Sequence, residues 1–135
     1  MKVHPFYLIA IVGLFIITSC KKNNPPAYSD VGMRILNSTP WTFYDCTVDP
    51  QGTLSNYPSA KAYNYGQVDI GSFSAYHIFP EIYRYAWFRL TMNNKLYYIR
   101  VYDYVGETPL VNGRYSYKIT YSAATDNISL ELNNE

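Results

Sequence analysis

Histidine and cysteine are nearly missing from this sequence. His4 and His77 are the two histidines, and His4 falls in an apolar leader, so His77 has no second imidazole with which to share a metal ion or a proton. Cys20 and Cys46 are the two cysteines, too few for a disulfide framework once Cys20 has another use. Charge is scarce as well: Asp, Glu, Lys and Arg make up 16% of the chain and leave a net +1. With Lys2 removed along with the leader, ten basic side chains balance ten acidic ones, which argues against binding nucleic acid. There is no Gly-rich phosphate loop and no nucleophile elbow, and Asp45, Asp49 and Asp69 lack the dense spacing of a calcium loop. No cofactor is expected, and no repeat of fixed period appears. Long apolar runs are absent too. The longest, residues 6–17, has twelve residues, whereas a helix that crosses a bilayer takes about 20.

What the chain has in excess is tyrosine, 16 residues within an aromatic content of 18%. Tyr, Thr, Val and Ile favour strands, and a Tyr ring can be buried while its hydroxyl reaches water or a partner. Beyond the leader no segment has helical period. Short alternating runs separated by turn signals predict about eight strands between Met33 and Leu132. Met33 and Ile35 share one face of the first; Tyr44, Cys46 and Val48 share a face of the second. Asp49-Pro50-Gln51-Gly52 reads as a turn, and residues 54–62 as a surface loop. Residues 63–79 alternate in two short pieces, with Gly66 and Gly71 marking bulges or a corner. Residues 114–121, RYSYKITY, set Tyr115, Tyr117, Ile119 and Tyr121 on one face, and Ile128, Leu130 and Leu132 return as the last strand. The pattern predicts one all-β domain over residues 31–135, an antiparallel β-sandwich, with a small β-barrel as the alternative.

The chain is organised around residues 83–102, YRYAWFRLTMNNKLYYIRVY, two strand-forming runs on either side of Asn93-Asn94. Asn tolerates positive φ, so the pair predicts a type I′ hairpin turn with Met92 opposite Lys95. That register puts Ala86, Phe88, Leu90 and Met92 with Tyr97, Ile99 and Val101 on a core face. The opposite face then carries Tyr85/Tyr102, Trp87/Arg100, Arg89/Tyr98 and Thr91/Leu96. Rings alternating with guanidinium groups make either a stabilising ladder or a binding platform. Tyr85, Trp87, Arg89, Tyr98, Arg100 and Tyr102 are therefore the candidate binding residues, for a protein partner or, by stacking on sugar rings, a glycan.

The leader has Lys2, the apolar run and then Thr18-Ser19-Cys20 before Lys21-Lys22-Asn23-Asn24. This is the form of an export signal. Its Ile17-Thr18-Ser19-Cys20 junction resembles a bacterial lipobox, which implies cleavage after residue 19 and acylation of Cys20. A multiply acylated Cys20 would hold the protein firmly to a membrane, and residues 20–30, with Pro25-Pro26, would be a tether. Lys21 and Lys22 would lie against anionic head groups.

Several stretches together resemble small single-domain lipoproteins of Bacteroidota-type cell envelopes: the Cys20 junction, RILNSTPWTFYDCTV, YGQVDIGSFSAY and VGETPLVNGRYSYKI. Residues 110–119 are similar to the late strands of immunoglobulin-like and transthyretin-like sandwiches. The resemblance implies an anchored β-sandwich and no particular activity. Surface-exposed members commonly carry acidic residues after the lipidated Cys; Lys21, Lys22, Asn23 and Asn24 stand there instead, which implies an outer-membrane anchor facing the periplasm.

Candidate chemistry is thin. Asp103 and Glu107 share one loop and could form a carboxylate pair for glycoside hydrolysis. Cys46 lies in an apolar strand beside Asp45, a setting that works against a thiolate. The expectation is a non-enzymatic, lipid-anchored envelope protein acting as a structural or protein-interaction module, or alternatively as a glycan-binding accessory.

Overall fold

The structure is a computed structural model that describes residues 30–135. The expected signal, the acylation site Cys20 and the tether up to residue 29 lie outside the described residues. Eight strands follow in order: β1 (Val31–Ser38), β2 (Tyr44–Asp49), β3 (Tyr63–Asn64), β4 (His77–Phe79), β5 (Trp87–Met92), β6 (Lys95–Ile99), β7 (Gly113–Ser122) and β8 (Asn127–Asn134). They form two four-stranded sheets, β4-β1-β7-β8 and β3-β2-β5-β6, packed as a sandwich and not closed into a barrel. Every strand pair is antiparallel except β1 with β7, which run parallel.

Period-two alternation builds the core. Val31, Met33 and Ile35 from β1, with Tyr115, Tyr117 and Ile119 from β7, face Val48, Phe88, Leu90 and Met92 of the other sheet. Burying large side chains of this kind gives about 1.5–3 kcal/mol each. Tyr117 is fully buried, crosses Phe88 edge-on at 5.5 Å and donates its hydroxyl to Tyr83 O, so the ring gains burial without an orphaned polar group. The Asn93-Asn94 turn has φ of 48° and 56°, as a type I′ turn requires, and Met92 pairs with Lys95, Leu90 with Tyr97 and Phe88 with Ile99.

The second strand departs from simple alternation. Asp45 adopts φ 54°, and the β2–β5 register shifts between Tyr44 and Thr47. This bulge turns Tyr44 out to solvent, so Phe43, rather than Tyr44, shares the core with Cys46 and Val48. Gly66 and Gly71, both with positive φ, break residues 63–79 into a short strand, two isolated bridges and β4. Asn37, the residue before the last of β1, is wholly buried. Its amide donates to Trp41 O and Val68 O and its oxygen accepts from Thr39.

The two ends of the sandwich differ. Val31 pairs with Gly113 and Phe79, and Asp49 with Trp87, so β1 begins at the end that also holds residues 50–62, 80–86 and 100–112. We call this the proximal end. At the distal end a clasp joins the sheets: Asp126 accepts from Lys95, from Tyr97 Oη at 2.9 Å and from Tyr121 Oη at 3.0 Å.

Candidate functional site

Pairing in the β5–β6 hairpin ends at Phe88 and Ile99, short of the expected Tyr85/Tyr102. The outer face of the hairpin is also not an open platform. Trp87 is 0% exposed. Its indole Nε1 donates to Ser55 O at 2.9 Å, and Gly52 comes so close that a Cβ there would lie 2.7 Å from Trp87 Cβ. Residues 50–59 thus form a lid over the ring. Asp49, fully buried at the lid's hinge, accepts from Gln51 N and from the Ser59 hydroxyl, each at 2.9 Å. Tyr104 Oη closes the other side by donating to Gly52 O at 2.9 Å. A loop folded onto the sheet, invisible to strand periodicity, is what overturns the expected exposure of Trp87.

The rest of the ladder divides in two. Arg89 pairs with Asp45 at 3.1 Å, and Arg100 lies over the Tyr98 ring at 4.4 Å while reaching Asn56 Oδ1 at 2.6 Å. Tyr98 in turn meets Trp87 edge-on at 6.0 Å. These contacts make Trp87, Arg89 and Tyr98 scaffold. Tyr85, Arg100 and Tyr102 instead line one open depression of about 380 Å³ with Ile99, Val101 and Asp103. Tyr85 is also a wall of a larger depression of about 760 Å³ between residues 108–111 and strand β8. Leu110, Leu130 and Leu132 supply apolar surface to that groove, and Arg84 and Glu131 supply its charges. A hydrogen bond to Glu107 is the main cause that pushes the Tyr85 hydroxyl up to about 12, so this ring stays a neutral donor.

The groove lies where residues 108–111 and Tyr85 pass beside the last residues of β8. Strand β8 is the last in its sheet, and its pairing with β7 is regular over all eight residues. Glu135 N donates to Arg114 O, so Glu135, Asn133, Glu131 and Ser129 commit their main-chain groups to β7. By the alternation of the ladder, Leu130, Leu132 and Asn134 turn theirs outward. Such edges are usually blunted by Lys, Pro or a bulge. NISLELNN has no Lys, Pro or bulge, and its one charge, Glu131, is paired with Lys118 of β7 at 3.6 Å. Nothing in the local sequence marks this edge as free, because its availability follows from β8 standing last in its sheet.

Asp103 and Glu107 do not present a free carboxylate pair. Asp103 Oδ1 accepts from Val105 N at 3.0 Å in its own turn, and Glu107 holds Tyr85. His77 stacks on Tyr63 with ring centroids 3.6 Å apart, and burial lowers its pKa. Cys46 is fully buried, and burial with Asp45 beside it pushes the thiol up. Among the described residues no three His, Cys, Asp or Glu side chains gather as a metal site would need.

No protein-family model matches the chain, and no curated protein matches it. Among solved structures it is similar to the NMR structure of a protein from Eubacterium rectale, with a TM-score of 0.51 and 10% identity over 78% of this chain and 90% of that one. At that identity the likeness is one of fold: the two chains share a β-sandwich.

Proposed function

We propose that this chain is a non-enzymatic protein of the bacterial cell envelope, held to the outer membrane through acylated Cys20 and facing the periplasm, where it serves as a protein-interaction module. The reading keeps its likeness to small Bacteroidota-type lipoproteins. The observation that carries it is the unblunted edge of β8 beside the groove lined by Tyr85, Leu110, Leu130 and Leu132. An extended segment of a partner envelope protein fits there: its backbone would pair with Leu130, Leu132 and Asn134 while alternate apolar side chains enter the groove. Main-chain bonds supply affinity and the groove supplies choice of side chain. The glycan reading loses its largest stacking ring, because Trp87 lies under the lid.

A photoreactive residue at Asn134 in intact envelopes tests this. One predominant adduct should form, and Leu132→Lys, which puts a charge into the groove and on the edge, should abolish it; the same probe at Thr125, at the distal end, should give none. An adduct at 134 that survives Leu132→Lys, or no adduct at all, contradicts the proposal. An adduct of twice the protomer mass would make the partner a second copy.

A further inference from the structure

The exposed apolar side chains are distributed unevenly between the two ends. Val105 is 87% exposed, Tyr102 83%, Tyr57 81% and Val111 72%, and all four stand on loops of the proximal end. Among the described residues the most exposed large apolar side chains towards the distal end include Ile70 at 56%, Tyr44 at 53% and Phe73 at 46%. Isolated exposed apolar residues are ordinary, but the four most exposed large ones gathering at one end are not. The proximal end is also where the chain passes from residue 30 into β1. Nine residues lie between Cys20 and Asp30. At ~3.3–3.6 Å per residue even a fully extended tether reaches only about 35 Å.

We infer that the proximal end rests on the lipid surface, with Tyr102, Val105 and Val111 entering the headgroup region. This rests on the reading of Cys20 as the anchor. The tether holds the domain within reach of a bilayer at the end that carries these loop tips. Val side chains gain from leaving water, and an exposed Tyr has the amphipathic form that settles at a membrane interface. Charge does not drive the contact. Residues 50–62, 80–86 and 100–112 carry Lys61, Arg84 and Arg100 against Glu81, Asp103 and Glu107, so the loops have no basic excess to draw them to anionic lipid. Val111 is also a wall of the β8 groove, so a segment bound there would lie beside the headgroup region.

The test uses the full acylated protein reconstituted in phosphatidylethanolamine and phosphatidylglycerol vesicles, with a nitroxide at Val105→Cys, Val111→Cys or, as the distal control, Thr125→Cys. All three positions are exposed, and buried Cys46 stays silent to the label. Collision with oxygen relative to an aqueous nickel chelate should be several-fold higher at 105 and 111 than at 125. The ratio should hold when salt is raised from low to molar concentration, because apolar insertion is not screened. Equal nickel access at 105 and 125 overturns the inference, as does a ratio that collapses in salt. Labels shielded from both reagents would assign the tips to protein contact, which also overturns it. Intact mass keeps the two readings apart: no acyl mass on Cys20 removes the anchor and this inference together, whereas an acylated Cys20 with water-exposed tips removes this inference alone.

Discussion

Replacing Trp87 by alanine removes a ring that is 0% exposed between the sheet and residues 50–59, and with it the bond from Nε1 to Ser55 O. The cavity left is bounded by Tyr98 on one side and by Gly52, whose backbone presses on the indole, on the other. Truncating a buried Trp to Ala costs about 3–5 kcal/mol. The same change on an open sheet face would stay within about ±0.5 kcal/mol. The two outcomes differ enough for a single urea titration to separate them. Near 100 residues, where each kcal/mol shifts Tm by roughly 4–8 °C, a loss of about 3 kcal/mol lowers Tm by more than ~12 °C. Circular dichroism is the suitable signal, since Trp41 is the one indole left in the variant. A Trp87→Ala protein with a wild-type urea midpoint and slope would refute the lid, and with it the assignment of Trp87, Tyr98 and Arg89 to scaffold.

Gly52→Ala tests the lid from above. Its Cβ would stand 2.7 Å and 2.8 Å from Trp87 atoms, so we expect about 1–3 kcal/mol of destabilisation by urea titration, and a neutral result would show that the lid can lift freely. The Asp126 clasp predicts a pH dependence. Hydrogen bonds from Lys95, Tyr97 and Tyr121 lower the Asp126 pKa, so its stabilisation is present above the unfolded carboxylate value of about 3.9 and is lost as pH falls through the lower folded value. Asp126→Asn keeps a residue tolerant of φ 47° while removing the charge. The gap in urea midpoint between wild type and this variant should therefore narrow below about pH 4, and a gap independent of pH would contradict the account.

The parts of this fold that are local in the chain were legible from the residues, and the parts that depend on tertiary placement were not. Asn93-Asn94 and the alternation around it specify a hairpin whose register the structure keeps from Phe88 to Ile99. Residues 114–121 and Ile128 likewise fall on the expected faces. Nothing about Asp-Cys announces the positive φ of the bulge at Asp45, and so simple alternation puts Tyr44 on one face with Cys46 and Val48. The burial of Trp87 escaped for a different reason. Residues 50–59 have loop composition, and a loop's composition does not say whether it projects into solvent or folds onto a sheet. Gly52 at the point of closest approach was the only local sign. The parallel pairing of β1 with β7 and the free edge of β8 are both consequences of strand order, which short-range patterning does not encode.

Three of the six candidate binding residues, Tyr85, Arg100 and Tyr102, come together in one depression. The others became supports for the lid and the bulge, with Arg89 engaged by Asp45 and Tyr98 by Arg100. The shift from a flat aromatic face to a groove and an open strand edge changes what the proposed partner must offer: an extended backbone in place of a planar ring.

The central claim, an envelope module held by lipid, is tested most directly by the intact mass of the protein recovered from the membrane fraction. The account predicts a chain beginning at Cys20 that carries acyl mass, and a Cys20→Ser variant that leaves the membrane fraction. A Cys20→Ser protein that still partitions into membranes, or a membrane form whose Cys20 bears no acyl chain, would contradict it.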